Sequence, residues 1–573
     1  MIIDFITFSV ENYIKFLFLF LFFYFSGRSF VIVVDKIFYQ KLTKEKLILG
    51  LEPKIIYSII GTIFVGNYLV LLNFFSSLNN IYVFLVSAVA LIPNIFSLNL
   101  PKDLKSLITK ENFVYFILIP SVLLISSSDI NYHYDAGYYH LNNQNWLRES
   151  NLIKGMTNIF WPFGMSSIYE YLSGFLWTKN SLLNLHFLSL IYFQFFYSFL
   201  YFYIFSSKNH YLRNGSIFLI FFSILDNFGF SGGRNGFPYI QEVGKQDMAV
   251  AILFIFISVV IINIFVKQEF SSKNILYTSI FSFFIFQLKV SGIFIFYLYF
   301  FLILFLIYKK IYSFKKILYY QLPTIFISLI WFIKNYLSTG CFIYPLSLTC
   351  INNFYWYVEG STERVERYTT ETSFSFMEYF LSSELNFIDW FNDFFNSSNS
   401  VFSTYYKAFY SNFLVSLVIL IILKKIFFKN NDLSLWMTNL IYSYAIFSIL
   451  YLIFFGPIPR YSTGILSTII FIIGFYTNDY KFEFKHLQNI LLVTFLLSLI
   501  LLPRLNSYRL FVINADISLY NIQEYDQSNI DQYKINWVKP ESGDRCWIDL
   551  NCTVEEGDIS IIDSGFFKTA IKK

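Results

Sequence analysis

The segment SDINYHYDAGYYHLNNQNW gathers two carboxylates and two histidines, Asp129, His133, Asp135 and His140, within twelve residues. A carboxylate at the edge of an apolar segment can act as general base towards a hydroxyl. Histidine can orient an acceptor, move a proton or bind a metal. Further on, SGGRNGFPYIQEVGKQDMAVA sets Lys245 and Asp247 at the start of another apolar run. Asp247 there also suits a helix N-terminus, where its charge complements the macrodipole. Lys289, in FQLKVSG, interrupts otherwise continuous apolar sequence, and an ionisable residue in such a place is a functional-site candidate. WFIKNYLSTGCFIYPL carries Lys334, and FFGPIPRYSTG carries Arg460 beside Pro457 and Pro459, whose fixed backbone angles can aim the guanidinium. Cations of this kind can hold an anionic lipid phosphate while carboxylates activate an acceptor.

The elements that must position these residues follow from composition. Of 573 residues, 56% are hydrophobic and 14% charged, with mean hydropathy +0.55, which excludes ordinary soluble domains and indicates an all-α polytopic membrane protein. The net charge of +5 does not point to nucleic acid, because most Lys and Arg lie in short stretches between apolar segments, where they set orientation. The first apolar run, Ile14 to Val34, is long enough to span and follows Asp4 and Glu11, so no removable signal peptide is expected.

Fourteen apolar stretches are read as spans, from Ile14–Val34 to Leu487–Leu502. Basic residues fall in every second loop: Lys36 to Lys54, Lys102 to Lys110, Lys208 with Arg213, Lys267 with Lys273, Lys309 to Lys316, Lys424 to Lys429, and Lys481 with Lys485. Those loops are expected on the inner side, with both termini and all the candidate site residues on the outer side. The chain then divides into N-terminal helices over 1–126, a core over 127–502 with long outer segments at 127–181 and 334–408, and a polar outer tail over 503–573. In the tail, RCWIDLNC places Cys546 and Cys552 close enough for a disulfide in an oxidising compartment. A Cys341 to Cys350 bridge is the less convincing pairing.

Taken in order and sidedness, the YHYDAGYYH segment, GKQDMAVA, the LKVSG break, KNYLSTGCFIYPL and GPIPRY resemble the GT-C superfamily of integral-membrane glycosyltransferases. Within it they are most similar to bacterial members associated with surface polysaccharides. The resemblance covers about Ser127 to Gly464. It implies an enzyme of the bacterial cytoplasmic membrane that transfers a sugar, with inversion, from a polyprenyl-phosphate donor to a glycan, lipid or protein acceptor on the outer face. By position, Asp129 or Asp135 matches the first-loop catalytic carboxylate, Asp247 the second acidic position, and Lys289 or Arg460 the donor-phosphate contact. His133, His140, Lys245 and Lys334 complete the substrate-binding set. The chain departs from the family in having its first long outer loop after the fourth span and in lacking a tight acidic-x-acidic motif, so a divalent metal stays open. An O-antigen-type polymerase is the nearest alternative reading, and a lipid-linked oligosaccharide flippase or other transporter the third.

Overall fold

The computed structural model describes residues 2–39, 47–79, 109–132, 134–165, 167–177, 183–228, 242–243, 245–351, 353–375, 401–430, 435–455, 458–480, 486–513, 525–530, 535–540, 551–553 and 559–572, with short pieces around 81–95, at 240 and at 545. Apolar sequence becomes helix here because a helix satisfies its own backbone polar groups where no water can. Every apolar stretch read from the sequence is helical except Ile81–Leu100, most of which lies outside the described residues. Among the described residues, eight helices are long and apolar enough to cross a membrane: Val10–Phe38, Pro53–Asn73, Lys110–Ser128, Leu183–Ser206, Asp247–Lys267, Val290–Tyr308, Phe314–Thr339 and Lys407–Phe427. Pro459–Phe475 is shorter, and Leu487–Ile500 meets Leu505–Ile513 at a 70° bend where Pro503 cannot continue the backbone ladder.

Burial sorts these helices into layers. The most apolar stretch of Leu183–Ser206 is 94% buried against 17% for Phe314–Thr339, so the first runs through the interior and the second lies at the periphery. The first two helices cross at glycines. A Cβ on Gly27 would lie 1.9 Å from the Tyr57 carbonyl oxygen, and one on Gly61 would lie 1.8 Å from that of Phe23, so only glycine lets the two backbones touch. The second helix in turn anchors the core. Asn67 and Gln287 exchange amide hydrogen bonds at 3.3 and 2.8 Å, and Asn73 Nδ2 donates to the Ser150 carbonyl at 3.1 Å.

Three places show how the sequence reading maps onto the fold. Phe314–Thr339 continues through Lys334 and stops at Gly340, whose φ of 79° is left-handed, so Lys334 is helical rather than the start of a loop. The two spans read either side of Lys289 are separate helices that pack together, with Phe286 and Phe296 ring centroids 6.1 Å apart. The tail is not a separate appendage. Its strand Lys568–Lys572 pairs antiparallel with Ile559–Asp563 and parallel with Ile153–Lys154, in register Ile153 to Lys568. Ile559, Ile561 and Ala570 join Trp146, Ile153, Met156, Ile159, Phe160 and Phe163 in one small apolar core. Trp146 Nε1 donates to the Cys552 carbonyl at 3.0 Å, and Thr553 Oγ1 to that of Ile159 at 2.7 Å. These segments make a cap over one end of the bundle.

Cys341 and Cys350 are disulfide-bonded, so the pairing that looked weaker from sequence is present. Cys552 is also disulfide-bonded, while Cys546 lies outside the described residues.

Candidate functional site

A two-residue parallel ladder, Asn131–Tyr132 against Glu242–Val243, ties together two stretches more than a hundred positions apart. It delivers Asp135 to the start of the Asp247–Lys267 helix. There Asp135 Oδ2 accepts from Arg460 Nη1 at 2.9 Å and lies 3.7 Å from Lys245 Nζ. Lys289 Nζ donates to Asp247 Oδ1 at 2.5 Å. Lys289 reaches that carboxylate because the chain turns extended at this residue, between the end of one helix and a short 3-10 turn. Arg460 and Asp247 are brought close by Gly464, where an added Cβ would meet Phe254 Cβ at 3.0 Å and Ala251 Cα at 3.2 Å. The Pro459 helix and the Asp247 helix therefore touch almost backbone to backbone.

Five sequence-derived candidates thus converge: Asp135, Lys245, Asp247, Lys289 and Arg460. Two aromatic residues that the sequence reading passed over complete the cluster. Lys289 Nζ sits 4.3 Å from the centre of the Tyr461 ring, with the Arg460 guanidinium 5.3 Å from it. Tyr139 follows Asp135 by one turn, and burial together with the Asp135 carboxylate pushes its hydroxyl well above the usual tyrosine range, so it stays a proton donor. Among the described residues, three cations stand against two carboxylates, an excess of one positive charge. The cluster opens beside a pocket lined by Val250, Phe254, Gly292, Gly464, Ile465 and Tyr461, which is mostly apolar.

Three candidates go elsewhere, and a fourth is not described. Asp129 accepts from Asn506 Nδ2 and Ser507 Oγ, both at 3.2 Å, and so holds the bent Leu505–Ile513 helix to the bundle. His140 is buried with Glu170 as its Nδ1 partner. The second Glu170 oxygen accepts from Gln144 Nε2 at 2.6 Å, and Gln144 Oε1 accepts from Trp177 Nε1 at 2.8 Å. Glu170 could not be flagged from sequence, where it reads as an ordinary acidic residue in the first turn of a helix. Lys334 donates to Asn335 Oδ1 at 2.9 Å and lies over the Trp331 ring at 4.3 Å, lining a pocket of its own. His133 lies outside the described residues.

A divalent cation does not fit the cluster. Asp135 and Asp247 are each engaged by a Lys or Arg, and a third cation stands beside them, so a metal ion would enter an already positive field. Among the described residues, no three His, Cys, Asp or Glu side chains gather to hold one.

Residues 12–467 match the family described as Domain of unknown function (DUF8201). No curated protein and no solved structure matches the chain.

Proposed function

The chain belongs to the DUF8201 family, and from its ion-pair cluster we propose that it is a glycosyltransferase that uses a polyprenyl-phosphate sugar donor and works at the outer face of a membrane. The observation that carries this reading is the surplus of cations over carboxylates among the described residues of the cluster, beside a small apolar recess. A lipid phosphodiester complements that charge, since its head carries one negative charge. Lys289 and Arg460 hold the phosphate. Asp135, the more exposed carboxylate of the pair, takes the proton of the acceptor hydroxyl as its oxygen attacks the anomeric carbon. The carbon–oxygen bond to phosphate breaks and the electron pair leaves with polyprenyl phosphate. Negative charge grows on the phosphate as that bond breaks, so fixed cations stabilise the transition state more than the bound donor.

Purified protein given a polyprenyl-phosphate sugar and a matching acceptor should release polyprenyl phosphate in step with glycosylated acceptor. Movement of the intact donor across a bilayer without its consumption would replace this reading with a transporter.

The outer location of the cluster rests on the alternation of basic loops across the fourteen-span reading, and labelling tests it. The native disulfides do not react with thiol reagents and can stay in place. Single cysteines at the exposed positions Glu149, Glu363 and Asp563 should react with a membrane-impermeant maleimide on intact cells. A cysteine at exposed Ser313 should react only after permeabilisation, and the reverse pattern would invert the map.

A further inference from the structure

Under the cap, away from the ion-pair cluster, a second pocket lies between the first long segment and the end of the Phe314–Thr339 helix. Its polar lining is Asn143, Asn151, Lys334 and Ser338, its walls include Trp146 and Tyr171, and among the described residues Lys334 is the only charged one that lines it. Lys334 is 2% exposed and Asn143 4%. The pocket is thus a low-dielectric place holding the Lys334 amine, where a bound anion favours the charged form of the lysine and a charge-assisted hydrogen bond is strong. The Asn143 carboxamide lines this space.

We propose that this pocket binds a carboxylate group, supplied by an acidic sugar of the acceptor glycan. Identification of the ligand as acceptor rests on the glycosyltransferase reading; carboxylate binding itself does not. The free space admits a carboxylate or a water or two, so the acid group inserts while the sugar ring stays at the mouth beside half-exposed Asn151. One carboxylate oxygen accepts from Lys334 Nζ and the other from Asn143 Nδ2. The aromatic walls keep bulk water from screening the pair. The pocket sits behind the helix Leu141–Glu149, which follows the Asp135 turn directly. An acid group held here would hold the acceptor chain on the same end of the bundle as the proposed base.

The test uses full-length protein in detergent with sodium D-glucuronate as probe, D-glucose as neutral control and sodium chloride at matched ionic strength. Glucuronate should raise the thermal unfolding midpoint in a saturable way, while glucose and chloride should not. Lys334→Met and Asn143→Leu should each weaken half-saturation about tenfold or more. The double variant Lys289→Met/Asp247→Asn should keep the response. Asn143→Asp supplies a carboxylate from within, so it should raise the ligand-free midpoint and abolish the response, which separates binding from misfolding. Equal shifts with glucose or chloride, no shift at all, or a response kept in Lys334→Met but lost in the double variant would each overturn the proposal. Such a result would leave donor-dependent sugar transfer, measured separately, untouched.

Discussion

Asp135→Asn is expected to lower turnover by about 10²- to 10⁴-fold, the usual contribution of a positioned general base, while donor affinity changes little. The amide keeps the shape of the carboxylate and can still accept from Arg460, which now donates at 2.9 Å. What it cannot do is take a proton. The measurement is single-turnover transfer with saturating donor beside a separate donor-binding curve. Asp129→Asn is the matched control, because that side chain is spent on Asn506 and Ser507. If both substitutions lowered turnover equally, the assignment of the base to Asp135 would be wrong.

Lys289→Met should act in two ways that a second substitution separates. Lys289 and Asp247 are 19% and 10% exposed in their ion pair, so removing the ammonium takes the hydrogen-bond partner from a largely buried carboxylate, whose charge Arg460 and Lys245 still offset in part, and destabilises the protein by about 1–3 kcal/mol. It also removes a phosphate ligand and weakens donor binding. Adding Asp247→Asn discharges that carboxylate. The double variant should therefore recover most of the thermal stability lost by Lys289→Met yet still bind donor weakly. Recovery of both properties together would mean that the pair is purely structural and takes no part in holding phosphate.

These residues were legible because they break a rule. In the topology expected from the basic loops, Lys245, Lys289 and Arg460 are cations on the disfavoured face, and such an exception points to a ligand more readily than to orientation. The same logic misplaced Lys334 and Asp129. Sidedness fixes depth along the membrane normal and says nothing about lateral position, so residues at the same depth were pooled that helix packing later divides among separate places. The glycine crossing of Gly464 on Ala251 and the Asn131–Tyr132 ladder set that lateral order, and neither carries a pattern visible in one sequence. Glu170 stayed hidden because its meaning depends on His140, thirty positions earlier. Helical content was legible throughout, since apolar length alone demands it. The partner of the strand Lys568–Lys572 was not, because alternation marks a strand without naming its neighbour.

That strand bears on how the protein is made. Asn158 donates to the carbonyl of Ala570, a residue 412 positions later. A ribosome adding roughly 5–20 residues per second needs about 20 to 80 seconds to travel between them. Throughout that interval Ile153, Met156 and Phe163 lack the tail residues that later cover them, and the nascent chain presents an unfinished sticky surface. Production in a host cell should accordingly be limited by chaperone supply at that surface rather than by insertion of the early helices.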